Sequence, residues 1–203
     1  AIARFNDESK QYSNLWPATT GELTITAGVL VAPVTLPLHT AIPYAETLLV
    51  SAKTKGRELH EHGHPSPACI DWEHITDAII DTPAAKRQRE LVYDDEALQR
   101  RVWLTQRPYT LDEFHTVEKL AGRYRKEISA TTRHRFLPAL SAGYADRLGF
   151  YAMIKKNHPN LFDELSEFNK DKPGNAWTLS MHDGVKEQKT NVIDALMLLE
   201  QFG

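Results

Sequence analysis

The chain has 203 residues, of which 41% are hydrophobic and 25% are charged, a composition typical of a globular protein with its own apolar core. Its one cysteine, Cys69, excludes an internal framework of disulfide bonds and indicates a reducing compartment. The longest apolar run, residues 29–34, is far shorter than the roughly 20 residues that span a bilayer, and the first residues lack the order of a signal peptide. We therefore expect a cytoplasmic protein without a membrane partner.

The charged residues are unevenly distributed along the chain. Residues 1–85 carry five Lys and Arg against ten Asp and Glu, residues 86–156 carry fifteen against nine, and residues 157–203 carry four against eight. The three segments therefore have net charges of −5, +6 and −4 in a chain whose total charge is −3. A basic segment in an acidic protein indicates a polyanionic partner, because Lys and Arg at phosphates release condensed counterions.

In chain order, the N-terminal part is predicted to form strands. Leu23 and Ile25 alternate with threonines, which is the pattern of a half-buried strand. The apolar run at 29–38 is interrupted by two prolines, which favours an edge strand, and residues 47–52 predict a third strand. We therefore expect a small antiparallel sheet across residues 22–62.

The rest of the chain is predicted to be mainly helical. Apolar periodicity, capping residues and prolines place helices at 72–80, from Pro83, from about 94 to 107, from Thr110, from about Pro138, at 159–168 and from Asn191. In the helix from Pro138, the predicted buried side consists of Leu140, Tyr144, Leu148 and Tyr151. Only one later strand, at 176–181, is indicated.

These patterns predict an α+β fold in which a small N-terminal antiparallel sheet is followed by a mainly helical body. The expected organisation is a β-rich region, residues 1–71, that ends in a His-rich loop, and a helical region, residues 72–203. We expect the two regions to pack as one domain.

The helix predicted from Thr110 carries the clearest functional signal. Thr110 and Glu113 have the spacing of a capping box. An apolar stripe then recurs every three or four residues: Leu111, Phe114, Val117, Ala121, Tyr124 and Ile128. Another face carries four residues whose spacings of four, four and three place them along one ridge that could follow a phosphate backbone: His115, Lys119, Arg123 and Lys126.

Two arginines, Arg133 and Arg135, extend this basic region beyond the helix. Because they precede the next helix, they gain nothing from its dipole, unlike Lys155 and Lys156 at its C-terminal end. We therefore predict a nucleic-acid site, with DNA as the expected partner, formed by His115, Lys119, Arg123, Lys126, Arg133 and Arg135. In this hypothesis the protein is an accessory module rather than an enzyme, and it needs no cofactor.

The main alternative is a zinc site in the His-rich loop. Imidazole and thiolate are preferred zinc ligands, and the loop brings together four candidates: His60, His62, Cys69 and His74. A straight strand would separate His60 from His64 by about 13 Å, so the site would combine His60 and His62 with Cys69 or His74. This hypothesis makes the protein a metal-dependent hydrolase, although the spacing matches no zinc-finger pattern and also fits a solvated loop.

Other catalytic and DNA-reading signatures are weak or missing. The sequence contains no G-x-S-x-G, P-loop or G-x-G-x-x-G motif. Ala145 and Gly149 have the spacing of a helix-turn-helix turn, but a continuous helix with small residues at a packed surface explains them better. A third hypothesis is a protein–protein interaction domain whose acidic ends dock onto the basic middle of neighbouring copies.

Overall fold

The computed structural model describes residues 24–61, 67–76, 81–142, 144–169, 176–182 and 184–202, together with Arg4 and Glu8. Its elements, in chain order, are β1 (Ala27–Val31), α1 (Leu38–Glu61), β2 (Cys69–His74), α2 (Pro83–Glu90), β3 (Val92–Asp95), β4 (Arg100–Trp103), β5 (Tyr109–Thr110), α3 (Leu111–Glu127), α4 (Ala130–Arg133), α5 (Phe136–Ser141), α6 (Tyr144–Asn157), α7 (Pro159–Leu165), β6 (Trp177–His182), β7 (Val185–Thr190) and α8 (Val192–Phe202). These helices and mixed sheets confirm the predicted α+β class. No helix in the described part of the chain combines the length and the apolar character needed to cross a bilayer.

The chain forms two compact units, and each is built from two stretches of sequence. The first unit comprises residues 1–85 and 107–115, and the second comprises residues 86–106 and 116–203. Residues 72–85 and 107–115 therefore group with the N-terminal region, because β5 pairs with β2.

The sheet of the first unit has the strand order β1-β2-β5. Strands β1 and β2 are parallel, with Ala27 opposite Ile70, and helix α1 connects them, whereas β5 is antiparallel to β2. Helix α1 buries one stripe on this unit, formed by Tyr44, Leu48, Ala52 and Gly56.

Three local predictions for this region are wrong. The sheet is mixed rather than antiparallel, the expected strand at 47–52 lies inside α1, and residues 72–74 belong to β2 rather than to a helix. The spacing of four that relates Tyr44, Leu48 and Ala52 is helical, and it overrides the β-branched residues between them. The first described strand begins at Ala27, and residues 22–23 of the expected strand lie outside the described ranges.

The second unit contains a four-stranded sheet in the order β3-β4-β7-β6. Strands β3 and β4 form an antiparallel pair where the sequence predicted a helix, because Val92, Tyr93, Val102 and Trp103 are strand-favouring residues around a short turn. In that turn Gln99 has a positive φ of 47°. The predicted strand at 176–181 is confirmed as β6, but its antiparallel partner β7 was not predicted.

The helices after β5 follow the sequence more closely. Thr110 and Glu113 form the predicted capping box at the start of α3: Thr110 N donates to Glu113 Oε2 at 2.7 Å and Glu113 N donates to Thr110 Oγ1 at 3.3 Å. Residues 144–157 form one continuous helix, as favoured over a helix-turn-helix. Gly149 was expected to allow close packing, but it is exposed, and an added Cβ would meet no atom of the described residues within 4 Å.

The buried side of α6 differs from the prediction. Leu148 is 41% exposed, whereas the charged residue before it, Arg147, is 1% exposed. Its guanidinium donates to the Tyr93 hydroxyl and to the Ala142 carbonyl, each at 3.0 Å, and it forms a buried ion pair with Asp95. The helix predicted from Pro138 is thus divided between α5, which ends at Ser141, and α6, which begins at Tyr144. Of its four residues predicted to be buried, Leu140 and Tyr151 are buried and Leu148 is exposed.

Arg147 is the centre of a buried network of charges in the second unit. Glu167 Oε1 lies 3.6 Å from Arg147 Nε, and Glu167 Oε2 accepts from Arg100 Nη2 at 2.8 Å. Burial opposes the charge on Arg147, but Tyr93, Glu167 and Asp95 outweigh it and raise the pKa of Arg147 above its ordinary value. The network therefore consists of two arginines and two carboxylates that balance one another away from water.

Candidate nucleic-acid interface

Helix α3 presents its basic residues on the side opposite its buried stripe. Successive residues of an α-helix are rotated by about 100°, so Val117 and Tyr124, both fully buried, project from one side. Four exposed residues project from the opposite side within an arc of about 60°. We call this surface the basic ridge, and it consists of His115, Lys119, Gly122 and Lys126.

The two lysines of the basic ridge have no acidic residue three or four positions away on the helix. Lys119 and Lys126 are exposed, and neither forms an ion pair within the described ranges. No Asp or Glu lies three or four residues before or after either lysine, and these are the positions from which a helical neighbour could neutralise it. Both charges therefore face solvent, about 10.5 Å apart along the helix axis.

Arg123 lies at the edge of this surface and is held by carboxylates. Its Nη1 lies 2.7 Å from Glu164 Oε2 on α7, and its Nε lies 3.5 Å from Glu127 Oε1. Burial raises the pKa of Glu164, while Arg123 acts in the opposite direction. Arg123, one of the four residues that the spacing placed on one ridge, is thus already engaged within the protein.

Arg133, like Arg123, is held by another group of the protein, whereas Arg135 is exposed to solvent. Arg133 is partly buried, and its Nη1 donates to the Ile128 carbonyl at 2.8 Å, so it caps the C-terminal end of α3. Arg135 is exposed at the start of α5 and has no ion pair among the described residues. Between them, His134 Nδ1 lies 3.5 Å from Glu200 Oε1.

Residues 119–135 account for the net positive charge of the second unit. Residues 119–135 contain six Lys and Arg and one acidic residue, Glu127. The second unit as a whole has eighteen Lys and Arg against fifteen Asp and Glu, a net charge of +3, whereas the first unit has six against twelve, a net charge of −6. The positive charge of the second unit is therefore concentrated around α3 and the segment after it.

The predicted zinc ligands are placed by different elements of the first unit. His60 lies in the last turn of α1 rather than on a strand, Cys69 and His74 are the first and last residues of β2, and His62 lies outside the described residues. In the ranges that are described, no three His, Cys, Asp or Glu side chains form a group that could hold a metal ion. Zinc binding through His62 stays a prediction.

Cys69 is a buried thiol. Its Sγ lies 3.6 Å from the Pro67 carbonyl oxygen. Burial is the main reason why the pKa of Cys69 is raised above its ordinary value. The positive charge of Lys55 acts to lower this pKa, and the negative charge of Glu113 acts to raise it. The neutral thiol is therefore favoured, and the thiolate is the form that binds metals or acts as a nucleophile.

Two residues that shape the candidate interface were not identified from the sequence. Glu164 on α7 pairs with Arg123, and this contact between helices distant in sequence gives no local signal. Gly122 does have a signal, because it is a glycine near the middle of a strongly periodic helix and lies between Lys119 and Lys126.

No protein-family model matches this chain, and no curated protein is significantly similar to it in sequence. Function must therefore be inferred from the residues themselves. An exposed row of lysines on a helix can bind a polyanion at regularly spaced phosphates.

Proposed function

We propose that this protein binds nucleic acid, with DNA as the expected partner, through the basic ridge of α3. The observation that supports this most is the placement of Lys119 and Lys126, which face solvent directly opposite the buried stripe and form no ion pair among the described residues. Arg135, also exposed, adds a third cation close in sequence. The role is that of an accessory module without catalytic activity.

The spacing of the lysines suits a phosphate backbone. Phosphates along one strand of B-form DNA are about 3.4 Å apart along the duplex axis, so the 10.5 Å or so between Lys119 and Lys126 corresponds to roughly three of them. Lysine binds phosphate as a point charge and needs no particular base sequence. The expected binding is therefore electrostatic and independent of sequence.

The affinity of variants for a 20-base-pair duplex and for a 20-nucleotide single strand tests this proposal. Replacing both Lys119→Ala and Lys126→Ala should weaken binding to the duplex roughly 60-fold at about 0.1 M salt, because each lost phosphate contact removes about 0.9 of a released counterion. Fluorescence anisotropy with labelled nucleic acid measures the dissociation constants.

A matched control removes two equally exposed cations from the other unit. Lys53 and Arg57 lie four residues apart on α1 and are both exposed. Replacing them with alanine changes the net charge of the protein by the same amount, and we expect binding to stay within about 3-fold of wild type. Equal weakening in both double variants would show that net charge, and not the basic ridge, governs binding; no binding by wild type at low salt would reject the proposal.

A second candidate function is association between copies of the chain. The net charges of −6 and +3 on the two units favour contacts between the first unit of one copy and the second unit of another. Light scattering as a function of salt distinguishes this case without nucleic acid, because charge-driven association weakens as salt rises. A constant monomer mass at low salt would reject it.

A further inference from the structure

Gly122 occupies the centre of the basic ridge. It lies three residues after Lys119 and four residues before Lys126, and it is exposed. A Cβ added at this position would meet no atom of the described residues within 4 Å. Glycine is the poorest helix former apart from proline, so alanine here would fit and would favour the helix.

Two other glycines in the described chain lie close to neighbouring atoms, whereas Gly149 on α6, like Gly122, does not. A Cβ on Gly28 would lie 2.3 Å from Leu49 N, so α1 could not approach β1 as it does. A Cβ on Gly56 would lie 3.4 Å from the Pro67 carbonyl oxygen, which is an ordinary van der Waals contact. At Gly122 the described structure contains no such neighbour, and what distinguishes Gly122 from Gly149 is its place between Lys119 and Lys126 on the basic ridge.

We infer that the bound nucleic-acid strand passes directly over Gly122, where the missing side chain lets the sugar–phosphate backbone reach the surface of α3 between Lys119 and Lys126. This inference rests on the proposed function and specifies its geometry. Apart from the His115 imidazole at one end, the basic ridge includes no aromatic side chain on which a base could stack, and it has no Asn or Gln that could read a base edge. Close approach of the sugar–phosphate backbone is the contact that Lys119, Gly122 and Lys126 can make.

The missing side chain at Gly122 also shortens the distance between the ammonium groups of Lys119 and Lys126 and the phosphates. A side chain at this position would project from the same face as Lys119 and Lys126 and would hold a strand away from the helix. Both ammonium groups would then lie farther from the phosphates. The effect should grow with side-chain size, whereas a role in folding alone would give no such dependence.

The experiment uses the full chain with Gly122→Ala and Gly122→Leu, and both substitutions leave the charge unchanged. Both should raise the melting temperature by about 2–4 °C, because they favour the helix. The dissociation constant for the 20-base-pair duplex should rise roughly 3-fold for alanine and at least about 10-fold for leucine, as extra atoms are forced into a close contact.

Gly149 provides the matched control. It is also an exposed glycine inside a helix with open space around its missing Cβ among the described residues, but it lies on α6. Gly149→Ala and Gly149→Leu should raise the melting temperature similarly and leave the dissociation constant unchanged.

The outcomes separate this inference from the proposed function. If Gly122→Leu melts as expected and binds DNA as tightly as wild type, while the Lys119 and Lys126 double variant binds weakly, the strand does not pass over Gly122 and the inference is overturned alone. If wild type binds no nucleic acid, both proposals fail. Weakening by Gly149→Leu equal to that by Gly122→Leu would also overturn the inference.

Discussion

Replacing Arg147 with alanine is expected to lower the free energy of unfolding by about 3–5 kcal/mol, the cost of removing one partner from a buried charge network. The guanidinium is 1% exposed and pairs with Asp95, whose side chain is also buried. Without it, the Asp95 carboxylate keeps no opposite charge in that pair, and the Tyr93 hydroxyl loses a donor at 3.0 Å. Urea unfolding followed by tryptophan fluorescence measures the change.

The neighbouring pair of Arg101 and Asp94 is the control for this prediction. Arg101 Nε lies 3.0 Å from Asp94 Oδ1, but the two side chains are 40% and 69% exposed. Exposed ion pairs gain little because water already solvates both charges, so Arg101→Ala should leave the unfolding midpoint unchanged within experimental error. If Arg147→Ala were as well tolerated as Arg101→Ala, the buried network would not support this part of the fold.

Replacing Gly28 with alanine is the second substitution with a large expected effect. The added Cβ would lie 2.3 Å from Leu49 N and 2.6 Å from the Ala45 carbonyl oxygen, both backbone atoms of α1. Backbone atoms of a helix cannot rotate away, so α1 must move relative to β1, at a cost of about 3 kcal/mol, the upper end of the usual range for an overpacked core. Thermal unfolding of Gly28→Ala measures it.

Gly56→Ala is the matched control on the same helix. Its Cβ would meet the Pro67 carbonyl oxygen at 3.4 Å and Cys69 Sγ at 3.6 Å, which are distances that a Cβ tolerates. Because alanine favours the helix by about 1 kcal/mol over glycine, Gly56→Ala should be neutral or slightly stabilising. Equal destabilisation by both substitutions would contradict the close approach at Gly28 as the cause.

Features encoded locally could be predicted from the sequence. The capping box of Thr110 and Glu113 and the stripe of α3 both depend on residues within a few positions of one another. The capping box is confirmed, and four of the six stripe residues are buried: Val117, Ala121, Tyr124 and Ile128. The helix start at Pro83 is confirmed for the same reason, since Ala85 N donates to Thr82 Oγ1 at 3.3 Å.

Features that depend on partners distant in sequence could not be predicted from the sequence. Strand β7 is polar after Val185, because Lys186, Glu187, Gln188 and Lys189 follow one another, and no apolar alternation marks it as a strand. It forms a strand because β4 and β6 pair with its two edges. Arginine is rarely buried, so no sequence rule would have placed Arg147 inside the protein before its carboxylate partners were known.

The candidate interface also combines features predictable from local sequence with contacts that depend on distant partners. Helical spacing correctly placed His115, Lys119 and Lys126 on an exposed surface. It could not show that Arg123 pairs with Glu164, because that contact depends on how α3 and α7 pack. The sequence therefore predicted where the cations lie along the helix, and the structure distinguishes those that face solvent from those that other residues hold.

The salt dependence of DNA binding tests the central claim most directly. For wild type and for the Lys119→Ala and Lys126→Ala double variant, the logarithm of the association constant is measured against the logarithm of salt concentration on the same 20-base-pair duplex. If both lysines contact phosphates, the slope of the double variant should be shallower by about 1.8, since each contact contributes about 0.9. Identical slopes for the two proteins would contradict the proposal that the basic ridge binds the DNA backbone.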